Sequence, residues 1–264
     1  MAADDFGATA YSEVGEGPAL VLVHGLGLNR NMWQWQVDAL KSHFRVVTYD
    51  LLGHGESDNP MGAVHINDMI SQLRKLMDSL AIERCGLIGF SLGGLIAQAF
   101  TLEHQDQVQA LVILNAAHAR TREQRDAIMM RVRQAKAAGP SATVDDALAR
   151  WFTPECAAEQ PQLLDRVRTW VADNDPDIYP QMYELLALAD QGLETRIEAI
   201  ECETLVMTGE LDHGNSPAMA RKMAEIIPHG RVEILPGLKH MALMEQPEVV
   251  HSFMFPFLQE NLTR

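Results

Sequence analysis

The stretch Gly86–Phe100, GLIGFSLGGLIAQAF, decides the fold. Its first five residues form a strand-length apolar run with no polar alternation. After it, Leu92, Leu95, Ile96, Ala99 and Phe100 recur at the three-and-four spacing of a helix. Between the two lies Gly89-Phe90-Ser91-Leu92-Gly93, a G-x-S-x-G pattern. Alone the pattern is cheap; its strand-turn-helix setting gives it meaning. A serine at the tip of so tight a turn is forced into strained backbone angles, and Gly89 and Gly93 remove side chains that would strike strand or helix. The hydroxyl then projects past the sheet at a helix N-terminus, where the dipole favours developing negative charge. The plainer reading is a glycine-rich turn with Ser91 as a simple helix cap.

Similar apolar runs lie on either side: Ala19–Val23 (ALVLV), Arg45–Tyr49 (RVVTY), Ala110–Leu114 (ALVIL), Thr204–Met207 (TLVM) and Arg231–Leu235 (RVEIL). Such runs suit strands buried on both faces of a parallel sheet. Helical spacing returns at Ile66, Met69, Ile70, Leu73, Met77 and Leu80. Ser216-Pro217 reads as a helix cap followed by proline at the first helical position, and Pro247 opens a last helix. Pro256, well inside that helix, predicts a kink or an early stop. The alternation argues an α/β fold with a mostly parallel sheet.

Residues 119–198 break the rhythm. They hold helix-like segments such as Arg122–Ala138 and Pro161–Ala172 but no buried strand, and they are too long for a connecting loop. We read 119–198 as a helical cap over one edge of the sheet, with 1–118 and 199–264 as the core. The alternative is a helical subdomain with no part in binding. Ligands of open sheets bind beyond the strands' carboxyl ends, which favours the cap.

A serine becomes a nucleophile only with a base, and the base needs a group to orient it. In folds with this elbow the chain order is serine, acid, histidine. Asp212 follows TLVMTG and His240 follows RVEILPG, each just past a strand's carboxyl end on the edge that carries Ser91. Glu210 is the rival acid, nearer its strand. His24-Gly25-Leu26-Gly27 ends the first long strand and resembles half of an oxyanion hole, pairing the Leu26 amide with that of Leu92. His24 is expected to orient that turn, His54 to be structural, His213 to lie at the surface or behind the acid, and His251 to pack or be solvated. No H-E-x-x-H spacing occurs, and Asp212-His213 is too close a pair to cage a metal, so no metal is expected.

Composition narrows the partners. The 264 residues carry 21 Lys+Arg against 36 Asp+Glu, a formal charge of −15 that repels nucleic acid and anionic membrane surfaces. Cys85, Cys156 and Cys202 are odd in number and far apart, which argues against a disulfide framework and for a reducing compartment. The first eleven residues, MAADDFGATAY, place Asp4 and Asp5 where a signal peptide would need positive charge, and no stretch is long enough to span a bilayer. A soluble cytoplasmic protein acting on a small molecule is expected; nothing sets its oligomeric state.

Taken together, LVHGLGLNRNMW (Leu22–Trp33), YDLLGHGESDNP (Tyr49–Pro60), GFSLGG (Gly89–Gly94), TGELD (Thr208–Asp212) and GLKHMALMEQP (Gly237–Pro247) resemble the α/β-hydrolases of the capped esterase and lactonase group. The resemblance spans almost the whole chain. It implies an eight-strand, mostly parallel sheet with its second strand antiparallel, a helical cap inserted after the sixth strand, and no cofactor. It further implies Ser91 as nucleophile, His240 as base, Asp212 as its orienter, and Leu26 and Leu92 as oxyanion donors. Asp50, Gly53, Gly55 and Ser57 match a structural turn of the family. The implied activity is cleavage of a small ester or lactone through an acyl-enzyme. A cofactor-free perhydrolase or haloperoxidase, or a slow-turnover ligand sensor, is the alternative on the same fold.

Within that group, Arg150–Pro161 (RWFTPECAAEQP) and Leu185–Ile200 (LLALADQGLETRIEAI) look similar to 3-oxoadipate enol-lactonases. Those relatives more often carry methionine where this chain has Leu92. HGLGLN followed by Trp33 is shared with small-ester carboxylesterases. Trp151, Phe152, Trp170 and Tyr183 are candidates to shape the acyl pocket or, equally, to form the core of the cap; Arg150 is a candidate cation for a substrate carboxylate.

Overall fold

The computed structural model describes residues 8–263. The apolar runs form strands β2 (Ala19–Val23), β3 (Arg45–Tyr49), β4 (Cys85–Phe90), β5 (Val108–Leu114), β6 (Glu203–Gly209) and β7 (Gly230–Leu235), all parallel, with β1 (Tyr11–Val14) antiparallel on the β3 edge. The spatial order is β1-β3-β2-β4-β5-β6-β7. β4 is central and every one of its residues is buried. This is why it lacks polar alternation: helices cover both faces.

Among the described residues the sheet has seven strands, the first of them antiparallel. The further strand that the resemblance implies ahead of it lies outside the described residues, as does the expectation built on Asp4 and Asp5. β1 escaped the sequence reading because YSEV is exposed along its whole length. An edge strand with no buried face carries no hydrophobic signal.

Helices α1 (Gln34–Leu40), α2 (Ile66–Ser79) and α3 (Leu92–Glu103) alternate with the first strands. Between β5 and β6 the chain is all helical: α4 (Arg122–Ala138), α5 (Val144–Trp151), α6 (Pro154–Glu159), α7 (Pro161–Ala172) and α8 (Tyr179–Leu188). Then follow α9 (Pro217–Ile226), α10 (Ala242–Glu245) and α11 (Pro247–Leu262). Ser216 and Thr121 cap their helices as side-chain acceptors, from Met219 N and Gln124 N. α11 runs on through Pro256, so the early stop does not occur. Helix interiors tolerate proline poorly, but α11 packs on β4, β5, β6 and β7, and that burial outweighs the lost bond. No helix among the described residues is long and apolar enough to cross a membrane.

The two ends of the helical stretch meet. Asp190, buried just past α8, accepts from the Arg120 amide at 2.8 Å and its guanidinium at 3.3 Å, and from Arg125 at 3.2 Å. A carboxylate buried with two guanidiniums on it is sufficiently paired; removing one partner would strand a charge, at a cost of about 3–5 kcal/mol.

Close approach at the end of β4 sets the position of everything above it. A Cβ on Gly93 would lie 2.1 Å from the carbonyl oxygen of Val23, which ends β2, and one on Gly89 would lie 2.3 Å from the Gly93 carbonyl oxygen. Both obstacles are backbone and cannot rotate away. Gly93→Ala should therefore cost about 3 kcal/mol, read as a lower urea midpoint with unchanged slope. A midpoint within error of wild type would show that β2 and α3 are not held together at this contact.

Candidate active site

Ser91 stands between β4 and α3 with φ 54° and ψ −112°, a left-handed backbone that a serine rarely adopts. Its amide donates to Leu114 O of β5 at 2.9 Å, and the turn closes as Gly94 N donates back to Ser91 O at 3.0 Å. Backbone of this kind costs on the order of 1–3 kcal/mol and persists where the surroundings over-determine it. Leu92 opens α3, so its amide has no acceptor within the helix. The Gly25 turn packs directly against the elbow: a Cβ on Gly25 would lie 3.3 Å from Ser91 Cβ.

The two histidines of the neighbouring turns hold this arrangement. His24 Nδ1 donates to Gly25 O at 2.8 Å while its Nε2 accepts from the Leu51 amide at 2.9 Å. His54 Nδ1 donates to Leu52 O at 3.2 Å while its Nε2 accepts from the Gly27 amide at 3.0 Å. Each ring uses one nitrogen as donor and the other as acceptor, which only neutral imidazole can do. Burial pushes His24 down to about 4, against a raising bond to Gly25; burial, then repulsion from His24, pushes His54 down to about 3. Asn174, at the end of α7, donates to Gly27 O at 3.1 Å and fastens the same turn from the helical side.

Asp212 and His240 meet. His240 Nδ1 donates to Asp212 Oδ2 at 2.7 Å, both side chains being buried. Asp212 Oδ2 also accepts from Asn115 Nδ2 at 2.9 Å, and Oδ1 accepts from the amides of Gly214 and Asn215 at 3.1 and 3.0 Å. Burial alone would raise this carboxyl, but His240 and the remaining donors outweigh it and hold Asp212 below the ordinary carboxylate range. Glu210, the rival acid, is exposed and accepts from the Gly237 amide at 2.9 Å instead. The side chain at 210 points out past the strand while Asp212 lies two residues further, where the turn folds back.

Ser91, Asp212 and His240 line one cavity of about 310 Å³, together with Leu26 and Leu28 from the β2 turn. Its roof comes from the helical stretch: Ile128 and Arg131 of α4, Arg150 and Trp151 of α5, and Tyr179, Tyr183 and Leu186 of α8. Trp151 and Tyr183 line the cavity, and Tyr183 also belongs to the buried apolar core, with Trp151 packed against it. Phe152 and Trp170 do not line the cavity. Phe152 is buried in the hydrophobic core, and Trp170 is half-buried against that core. His213 is exposed at the cavity mouth.

The sequence reading missed Arg131, Tyr179, Asn115 and Asn215. Asn115 was findable, since it directly follows the run ALVIL at a strand's carboxyl end; nothing in the spacing of α4 singles out Arg131. Arg131 Nε donates to Tyr183 Oη at 2.8 Å. Among the described residues neither Arg131 nor Arg150 has an ion-pair partner. Burial, then the charge of Arg131, pushes Arg150 below its ordinary value. Among the described residues no three His, Cys, Asp or Glu side chains cluster as metal ligands would, and all three cysteines are free thiols.

The histidine pair makes stability depend on pH. The unfolded chain takes up protons at both rings from about pH 6.5 downward, whereas the folded chain holds them neutral to about 4 and about 3. The unfolded state therefore binds more protons in that window, and unfolding free energy falls as pH falls. Two protons correspond to a slope of about 2.7 kcal/mol per pH unit. Urea midpoints should drop steeply between pH 6 and pH 4.5, and His54→Gln should remove about half of that slope. An equal slope in the variant would mean that His54 titrates alike in both states.

Comparison with known proteins agrees with this fold. The profile of the alpha/beta hydrolase fold family matches residues 18–247. Among curated proteins the chain is similar to (E)-2-((N-methylformamido)methylene)succinate hydrolase of Acinetobacter baylyi, 28% identical over 94% of this chain and 93% of that one. It is also similar to 3-oxoadipate enol-lactonase 2 of the same organism, 28% identical over 91% and 89%. Among solved structures, the enol-lactonase from Burkholderia xenovorans superposes with a TM-score of 0.86 at 30% identity, covering 95% of this chain and 96% of that one. A thermophilic esterase from Thermogutta terrifontis superposes with a TM-score of 0.88 at 26% identity, covering 96% and 94%. With its parallel sheet, its elbow serine and this breadth of matching, the chain belongs to the α/β-hydrolase fold family and is a hydrolase.

Proposed function

We propose that the chain is a serine hydrolase that cleaves the carboxylic ester or lactone bond of a small molecule bearing a second, anionic group. One observation carries the reading: a serine on a strained turn and an imidazole backed by a buried carboxylate open onto the same cavity. In the proposed mechanism Ser91 attacks the carbonyl carbon as His240 Nε2 takes its proton. Asp212 holds Nδ1–H and stabilises the imidazolium. The tetrahedral oxyanion rests on the Leu26 and Leu92 amides. As the intermediate collapses, His240 returns the proton to the departing alcohol or enol, leaving an acyl-enzyme. Water, deprotonated by His240, then frees the acid. Residues 119–198 serve as a cap that keeps bulk water out, over a core of 1–118 and 199–264.

Charge supports the anionic class. The chain is strongly acidic as a whole, yet Arg131 and Arg150 line the roof without carboxylate ion-pair partners among the described residues. Two facing guanidiniums repel each other, and a carboxylate bound between them relieves that repulsion. The relatives named above carry a succinate and an oxoadipate in their names, both acids.

A matched pair of probes tests this, monomethyl glutarate against dimethyl glutarate. The half-ester should have the larger kcat/KM by about tenfold, the worth of one charge-assisted hydrogen bond, and Arg150→Gln should lower that preference. Ser91→Ala should abolish both hydrolysis and labelling by a fluorophosphonate while the circular dichroism stays native. Continued labelling of that variant would discard Ser91 as the nucleophile; a wild-type preference for the diester would discard the anionic class.

A further inference from the structure

His240 stands on a loop between β7 and α10, and a catalytic base on a loop keeps its geometry only if other groups support it. Three contacts bracket it from the helical stretch. Lys239 Nζ donates to Ala149 O at 2.9 Å. The Met241 amide donates to Trp151 O, also at 2.9 Å. Glu245 accepts from the Thr153 amide at 3.1 Å and, with its other oxygen, from the Thr153 hydroxyl. Every second residue from 149 to 153 is thus bonded to the chain flanking the imidazole. Gln36 Nε2, donating to Leu243 O at 2.8 Å, fixes α10 from the core side.

Thr153 and Glu245 are both buried, and neither lines the cavity. Thr153 is also the cap of α6, accepting from Cys156 N at 3.1 Å, so its hydroxyl is committed at both ends. A buried carboxylate takes two hydrogen bonds from one threonine, and nothing in the substrate cavity explains why. What it joins does: the end of α5, which carries Trp151 with its ring centroid 5.9 Å from His240, to the helix that follows the base.

We propose that Thr153 and Glu245 are positioning residues for His240, and that residues 149–153 and the base move as one body. The proposal rests on His240 being the base. It follows that α5 cannot lift from the core without drawing the imidazole off Asp212.

The test compares Thr153→Val, which keeps shape and loses the hydroxyl, with Thr153→Ser, which restores it. The readouts are the rate at which a fluorophosphonate labels Ser91 and the downfield proton resonance of His240 Nδ1–H. A misplacement well under 1 Å should slow labelling by about tenfold in Thr153→Val and broaden the resonance, with both regained in Thr153→Ser. If Thr153→Val does not fold, Glu245→Gln is read in the same way, with a smaller loss in the same direction. Wild-type labelling and an unchanged resonance in a folded variant overturn the clamp alone. A wild-type enzyme that is not labelled at Ser91 overturns the hydrolytic reading beneath it.

Discussion

The crossing of β2, β4 and α3 at a single point governs this molecule. Backbone there approaches backbone so closely that a methyl group on Gly93 would sit 2.1 Å from the Val23 carbonyl oxygen. That crowding forces Ser91 into a left-handed conformation, and the conformation turns its side chain outward from the sheet. The same crowding brings the turn after β2 against the serine, since a Cβ on Gly25 would lie 3.3 Å from Ser91 Cβ. Strain at Ser91 is thus the by-product of gathering three elements, and the packed sheet sustains it.

Buried titratable groups around this point take opposite states, and the number of available donors decides which. His24 and His54 are each enclosed by one carbonyl and one amide, so the neutral ring fits and the charged ring would lose its acceptor role. Asp212 is surrounded by four donors and stays ionised despite its burial. Desolvation disfavours the charged form of all three; at Asp212 the interaction with His240 and the remaining hydrogen bonds outweigh it. The cavity above adds a second contrast: Arg131 and Arg150 line it within a chain of formal charge −15.

Much of this was legible in the residues. The six parallel strands carry their own apolar runs because both faces are covered, and the elbow serine, its imidazole and its carboxylate lie at strand ends, where order along the chain identifies them. What was hidden had no local signature. YSEV in β1 buries no face, so no periodicity marks it. Trp151 and Phe152 are adjacent aromatics of similar hydrophobicity, yet one faces the cavity and the other the core, because α5 ends between them. Arg131 differs from the other arginines of α4 only in what lies opposite, which is Tyr183, 52 residues further along the chain. Pro256 misled by rule: the helix around it is held by the sheet, so the local preference gave way.

Asp190 has a consequence for how such a chain changes over generations. By binding Arg120 and Arg125 it stitches the exit of the helical excursion to its entrance, so the sheet below meets that excursion across a seam of fixed width. Lengthening or shortening what lies between changes loop-closure entropy only logarithmically. The roof can therefore vary in length between Arg120 and Asp190, provided that the bonds from residues 149–153 to the loop bearing His240 are kept.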